Sequence, residues 1–195
     1  MSKMNMGLKP ILLAGGLVAG LTVIAAAQTN GSPERFTAMA VNMSRGGAGT
    51  VEIVVNRWST DAEREKLMST LLNKGDGKLL SVLQDMPRVG YFRTPNSLGY
   101  DIHYAHRETL PEGGERVVLA TDRRIGFWEA ANQPRSIDYP FTVIEMRLNK
   151  DGEGEGKMSL ATKIMANKNT NTVVLENYDI QPVLLQGIRR VKASQ

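Results

Sequence analysis

From Phe36 onward, apolar and polar residues alternate in short runs separated by turn-forming residues, and this period-two pattern is the strongest constraint on the fold. It is clearest late in the chain. Phe141 to Leu148 places Ile144, Met146 and Leu148 on one face. In Met158 to Ala166 the residues Met158, Leu160, Ile164 and Ala166 share a face, with Lys157, Ser159 and Lys163 opposite. Phe36–Met43, Val51–Trp58, Tyr100–Arg107, Arg116–Thr121, TNTVVLENY and PVLLQGIRRVK supply further strands, for roughly eight or nine in hairpin succession. The segments SRGGAGT, NKDGEGEGK and NKNTN have hairpin-turn composition. The expected fold is mainly β: an antiparallel β-barrel or strongly curved sheet, with a two-sheet sandwich as the alternative. Closure is favoured because it removes exposed strand edges.

One segment departs from the alternation. Between Thr60 and Asp85 the apolar period becomes helical, with Leu67, Leu71 and Leu72 on one stripe and Leu79, Leu80 and Leu83 on a second. Thr60 followed by Glu63 forms a capping box, KGDG interrupts the pattern, and Pro87 ends it. A helix pair is thus inserted after the second strand, with its leucines laid on the sheet or over a barrel end. It acts as a structural plug or, alternatively, as a mobile lid over a cavity.

The N-terminus carries Lys3 and Lys9, then an uncharged run from Ile11 to Ala27 ending in Ala25-Ala26-Ala27. This is the pattern of a secretory signal, residues 1–27, cleaved before Gln28. At 17 residues the run is short for a spanning helix, which needs about 20; an uncleaved anchor is the rival reading and the one expected route to a membrane. Residues 28–34 form a polar tether, and 35–195 a single β-rich domain. The expected location is periplasmic or secreted. Loss of Lys3 and Lys9 removes two of the formal charges in a net +4, leaving a near-neutral domain without the basic stripe that a nucleic-acid binder needs.

The chain has no cysteine and two histidines, which excludes a disulfide scaffold, a thiol nucleophile and a Cys-ligated zinc. SRGGAGT lacks the Gly-Lys-Ser/Thr ending of a phosphate loop and precedes a strand. Asp151, Glu153 and Glu155 with Gly156 resemble half a calcium loop, but Thr162 stands where its closing glutamate belongs. Asn30-Gly31-Ser32 and Asn42-Met43-Ser44 are formal glycosylation sequons. Serine-hydrolase, zincin and dinucleotide motifs do not occur. Neither a cofactor nor a metal site is expected.

Two stretches alternate poorly and mix aromatics with charges: VGYFRTPNSLGYD and DRRIGFWEAANQPRSIDY. They make Tyr91, Arg93, Asp101, His103, Trp128 and Glu129 the candidate ligand-binding residues. A turn at Pro95–Gly99 would bring the Tyr91/Arg93 and Asp101/His103 pairs together, with Trp128 as an apolar wall and Glu129 as a counter-charge to Arg93. Asp101 and His103, on one face of a strand, are also a candidate acid–base pair. Strand alternation would set His103 and His106 on opposite faces, unable to share a metal.

The blocks VEIVVNRWSTDAERE, GYFRTPNSLGYDIHYA, IGFWEAANQPRSIDYPFTVIEMRLNKDGEGEGK and SLATKI are similar to an uncharacterised family of exported bacterial proteins, over Phe36 to about Arg190. The resemblance implies an exported domain and no particular activity. The leading functional expectation is a non-catalytic binder of a small or amphipathic ligand held inside the barrel, which requires a hollow centre; a centre filled by side chains favours the first of two alternatives. The alternatives are an envelope structural or interaction domain without a cavity, and a small isomerase or hydrolase.

Overall fold

The computed structural model describes residues 33–42, 47–95, 97–123, 138–167, 172–177 and 181–191. The signal segment lies outside them, as does most of the tether, whose last residue, Glu34, already opens a strand. In chain order the elements are β1 (Glu34–Asn42), β2 (Gly47–Val55), α1 (Asp61–Lys74), α2 (Asp76–Gln84), β3 (Gly90–Arg93), β4 (Tyr100–Thr109), β5 (Glu115–Thr121), β6 (Phe141–Leu148), β7 (Glu153–Asn167), β8 (Thr172–Asn177) and β9 (Val183–Val191).

The strands run in the order β6-β5-β4-β3-β2-β1-β9-β7, and β6 also pairs with β7. That last ladder closes an antiparallel barrel of eight strands, so the sandwich alternative is not realised. β8 lies outside the ring. It pairs with the second half of the long strand β7, from Thr162↔Asn177 to Asn167↔Thr172.

Inward residues fill the barrel. Phe36, Ile53, Phe92, Ile102, Leu119, Ile144, Met146, Leu185 and Ile188 are all fully buried in one cluster, so the centre is packed. At one end the inward row becomes charged: Glu34 joins Arg107 (2.9 Å) and Arg190 (3.2 Å), and Arg190 also meets Glu115. Trp58 Nε1 donates to Glu34 (2.9 Å).

Three bulges change which side chains face in. An extra residue in β4 leaves Ile102 and Ala105, three apart, both fully buried. Gly187, at φ 57°, is the extra residue of β9 against both neighbours, and it keeps Leu185 and Ile188 facing inward together. In β7 the extra residue falls between Ser159 and Thr162. This corrects the single-face expectation for that strand. Met158 and Leu160 face the barrel core, whereas Ile164 and Ala166 face the outside.

β3 is the short strand of the hairpin expected about Pro95–Gly99, with Tyr91 and Arg93 on one face and paired antiparallel with β4. Other differences from the expected strands also have local causes. The EGEG of the expected 149–157 turn lies within β7, and the turn itself closes at Gly152 (φ 78°). Gly154 and Gly156 face the core, where a Cβ would meet the β6 backbone at Arg147 and Glu145. Likewise Gly47–Thr50 belong to β2 rather than to a turn.

The helical insert lies on the outer wall, not over a barrel end. Thr60 caps α1 by accepting from the Glu63 N–H (3.2 Å), while Glu63 accepts from the Thr60 N–H (2.8 Å). Arg57 holds the same carboxylate in a two-bond fork at 2.8 and 2.9 Å. Leu67, Leu71, Leu79, Leu83 and Met86 are buried against Ala120, Phe141 and Val143, which project outward from β5 and β6; Leu80 is half-buried. Each fully buried leucine contributes roughly 1.5–3 kcal/mol.

Candidate functional site

The insert is fastened to the wall at three places. Ser59 and Ala105 exchange hydrogen bonds at its start: the Ser59 N–H to the Ala105 carbonyl (2.8 Å) and the Ala105 N–H to Ser59 Oγ (3.0 Å). Asp76, at the hinge between the helices, pairs with Lys163 of β7 (3.3 Å). His103 Nδ1 bonds the Met86 carbonyl (2.9 Å) at its end. The helices therefore leave the wall at β4, span to β7 and return to β4.

Between the helices and the wall runs a groove of about 410 Å³. The registers of β4, β5 and β6 set its floor in cross-strand rows. Tyr104, Ala120 and Val143 form one row, His106, Val118 and Glu145 the next, and Glu108 and Arg116 a third. Polarity thus rises along the floor from apolar to charged. The roof repeats this along α1, from Leu71 through Leu67 and Met68 to Arg64. Ile164, Val173 and Leu175 close the far side from β7 and β8. Although they line the groove, Val173 and Leu175 remain 44% and 37% exposed.

The charged rim is internally paired. Arg116 joins Glu145 (3.0 Å) and Glu108 (3.3 Å), and Glu145 also takes Lys157 (3.4 Å). Burial would raise the Glu145 carboxyl, but Arg116 and Lys157 overcome it and hold the group below the usual carboxylate range. The Tyr104 and His106 rings stack with centroids 6.3 Å apart. Burial raises the Tyr104 phenol, partly offset by the charge and hydrogen bond of Arg64. Burial, then Arg64, depresses His106, which favours a neutral imidazole at neutral pH.

The candidate residues from the sequence divide into three groups. Tyr91, Arg93 and Asp101 share the outer face of β3 and β4. Arg88 and Arg93 both lie over the Tyr91 ring, at 5.2 and 5.5 Å, and Asp101 pairs with Arg88 (3.0 Å). The counter-charge of Arg93 is Glu52, which also holds Arg35. These residues form an exposed polar ladder, distinct from the residues lining the groove. His103 turns away to Met86, with Nε2 3.8 Å from Asp122, so it does not join Asp101. Trp128 and Glu129 lie outside the described residues.

The β4 bulge also corrects the histidine alternation. His103 and His106 both project to the outer side, each with its own partners. Among the described residues no group of three or more His, Asp or Glu could hold a metal ion. The groove residues Arg64, Tyr104, His106, Glu108, Arg116 and Glu145 escaped the sequence reading. Their signal was the mixed polarity of alternate positions in YAHRE, which gains meaning only once α1 lies over it.

In comparisons with known proteins, no family model, no curated protein and no solved structure matches this chain.

Proposed function

We propose that this protein is an exported, non-catalytic binder of a small amphipathic molecule, seated between the helical insert and the barrel wall rather than inside the barrel. The observation that carries the reading is the groove itself. Its 410 Å³ falls within the roughly 300–1,000 Å³ range of small-molecule sites. It is lined mostly by aliphatic side chains, with polar groups gathered at one rim. Export rests on the Lys3/Lys9 start and the AAA site. A catalytic reading through Asp101 and His103 gains no support from side chains that pair with Arg88 and with the Met86 carbonyl.

The test is native mass spectrometry of protein purified without detergent, beside a Val118→Trp variant that fills the floor. A retained small molecule, lost in the variant, is the expected result. Equal retention in both proteins would place the ligand elsewhere.

A further inference from the structure

We infer that the groove's ligand is an alkyl carboxylate or a compact equivalent, with its carboxylate at the rim and Arg64 as the residue that recognises it; this rests on the groove reading above. The first support is the charge balance. Both rim acids already have cations, Glu108 and Glu145 on Arg116 and Glu145 also on Lys157. Arg64 makes no ion pair with the described residues, and its charge acts on Tyr104 and His106 beside it. Asp61, one turn earlier on α1, also acts on His106, but of the four charged groups that line the groove Arg64 alone has no ion pair with a described residue. It stands beside a phenol and an imidazole, both able to donate a hydrogen bond.

A guanidinium presents a planar fork matched to a carboxylate, and such charge-assisted pairs are short and directional. A cationic head would meet Arg64 unfavourably, and the two acids that line the groove are already paired with Arg116 and Lys157. A neutral head would leave the guanidinium without a counter-charge at the edge of an apolar surface, where attraction between opposite charges exceeds that in water.

The second support is the other end of the groove. Val173 and Leu175 line it yet stay substantially exposed, so an aliphatic body lying along the floor would cover them. A cavity of about 150 Å³ accepts benzene, and the groove is between two and three times larger. That suits a body of roughly twelve to sixteen non-hydrogen atoms by the same comparison, the size of a medium-chain acid such as decanoate.

Isothermal titration of the wild-type protein, Arg64→Gln, Arg64→Lys and Val118→Trp decides the matter, using decanoate, decanol and decyltrimethylammonium below their aggregation concentrations. Arg64 is exposed on α1, and matching urea midpoints would confirm that its variants fold. Decanoate is expected to bind most tightly. Arg64→Gln should weaken decanoate about tenfold or more while leaving decanol unchanged, as expected for a lost hydrogen bond to a charged group. Arg64→Lys should restore part of the loss. Equal binding of decanol and decanoate, or a decanoate preference that survives Arg64→Gln, would overturn the carboxylate assignment and leave the groove reading standing. Binding of none of the three, or decanoate binding unchanged by Val118→Trp, would overturn both.

Discussion

Replacing Gly154 with alanine adds one methyl group where β7 pairs with β6. The new Cβ would fall well inside contact distance of the Arg147 carbonyl oxygen, 2.9 Å from its carbonyl carbon and 3.0 Å from Leu148 Cα. All three are backbone atoms, so no rotamer change can relieve the clash. β7 must move away from β6, but Gly154 is also paired to Ile188 of β9 on its other side. Overpacking of this kind costs about 1–3 kcal/mol, and each ladder hydrogen bond lost adds about 1 kcal/mol. A loss of about 3 kcal/mol is expected. Gly156→Ala should cost less, since its closest backbone contact, Glu145 O at 2.5 Å, is less severe. Gly77→Ala is the opposing control. It lies in α2 with nothing within 4 Å of the new atom and should stabilise by up to about 1 kcal/mol through helix propensity. Urea unfolding with unchanged slope reads all three, and at about 1–3 kcal/mol per molar the Gly154 midpoint should fall by 1 M or more. A Gly154→Ala midpoint within error of wild type would refute the backbone-contact argument. So would a common response of all three variants, which would point to a general effect of losing glycine.

Leu83→Ala, at a nearly fully buried position under α2, should cost about 2–5 kcal/mol, and the half-buried Leu80 distinctly less; equal urea midpoints would mean that the insert does not pack on the wall. Thr60→Ala should cost about 1 kcal/mol by removing the cap, read from the unfolding midpoint and the helical circular dichroism. The Arg57 hydrogen bond, with the Thr60 N–H, holds the Glu63 carboxyl below its ordinary 4.5 despite burial. A carboxylate depressed on folding contributes stability that is present above its unfolded value and lost as pH falls through the folded one. Glu63→Gln should therefore lose less stability than wild type on acidification below about 4.5, and parallel pH profiles would show that the Arg57 pair contributes nothing.

How much of this was legible in the chain differs by level. Alternation and turn composition are local, and so were readable. They placed β6 at its observed limits and most other strands within a few residues, and Thr60 with Glu63 announced α1. A mainly antiparallel β fold with an insert after the second strand follows from those patterns, and the need to hide strand edges favours a barrel; the β6–β7 ladder decided it over a sandwich. Facing is decided differently. A bulge adds one residue without changing the composition of the strand, so nothing in ATKIMA shows that Ile164 has exchanged sides relative to Met158. The same event in β4 brought both histidines to the outer wall. The sites divide along this line. The ladder of Tyr91, Arg93 and Asp101 was visible because its members are close in sequence. The groove was not, because Arg64 stands on a helix and Tyr104, Arg116 and Glu145 on three successive strands. By itself the sequence determined the class of fold, the helical interruption and the charges available, since these depend on neighbours along the chain. Only tertiary structure decided which charges remain unpaired beside which apolar surface, because that depends on ladder register and on where the insert comes to rest.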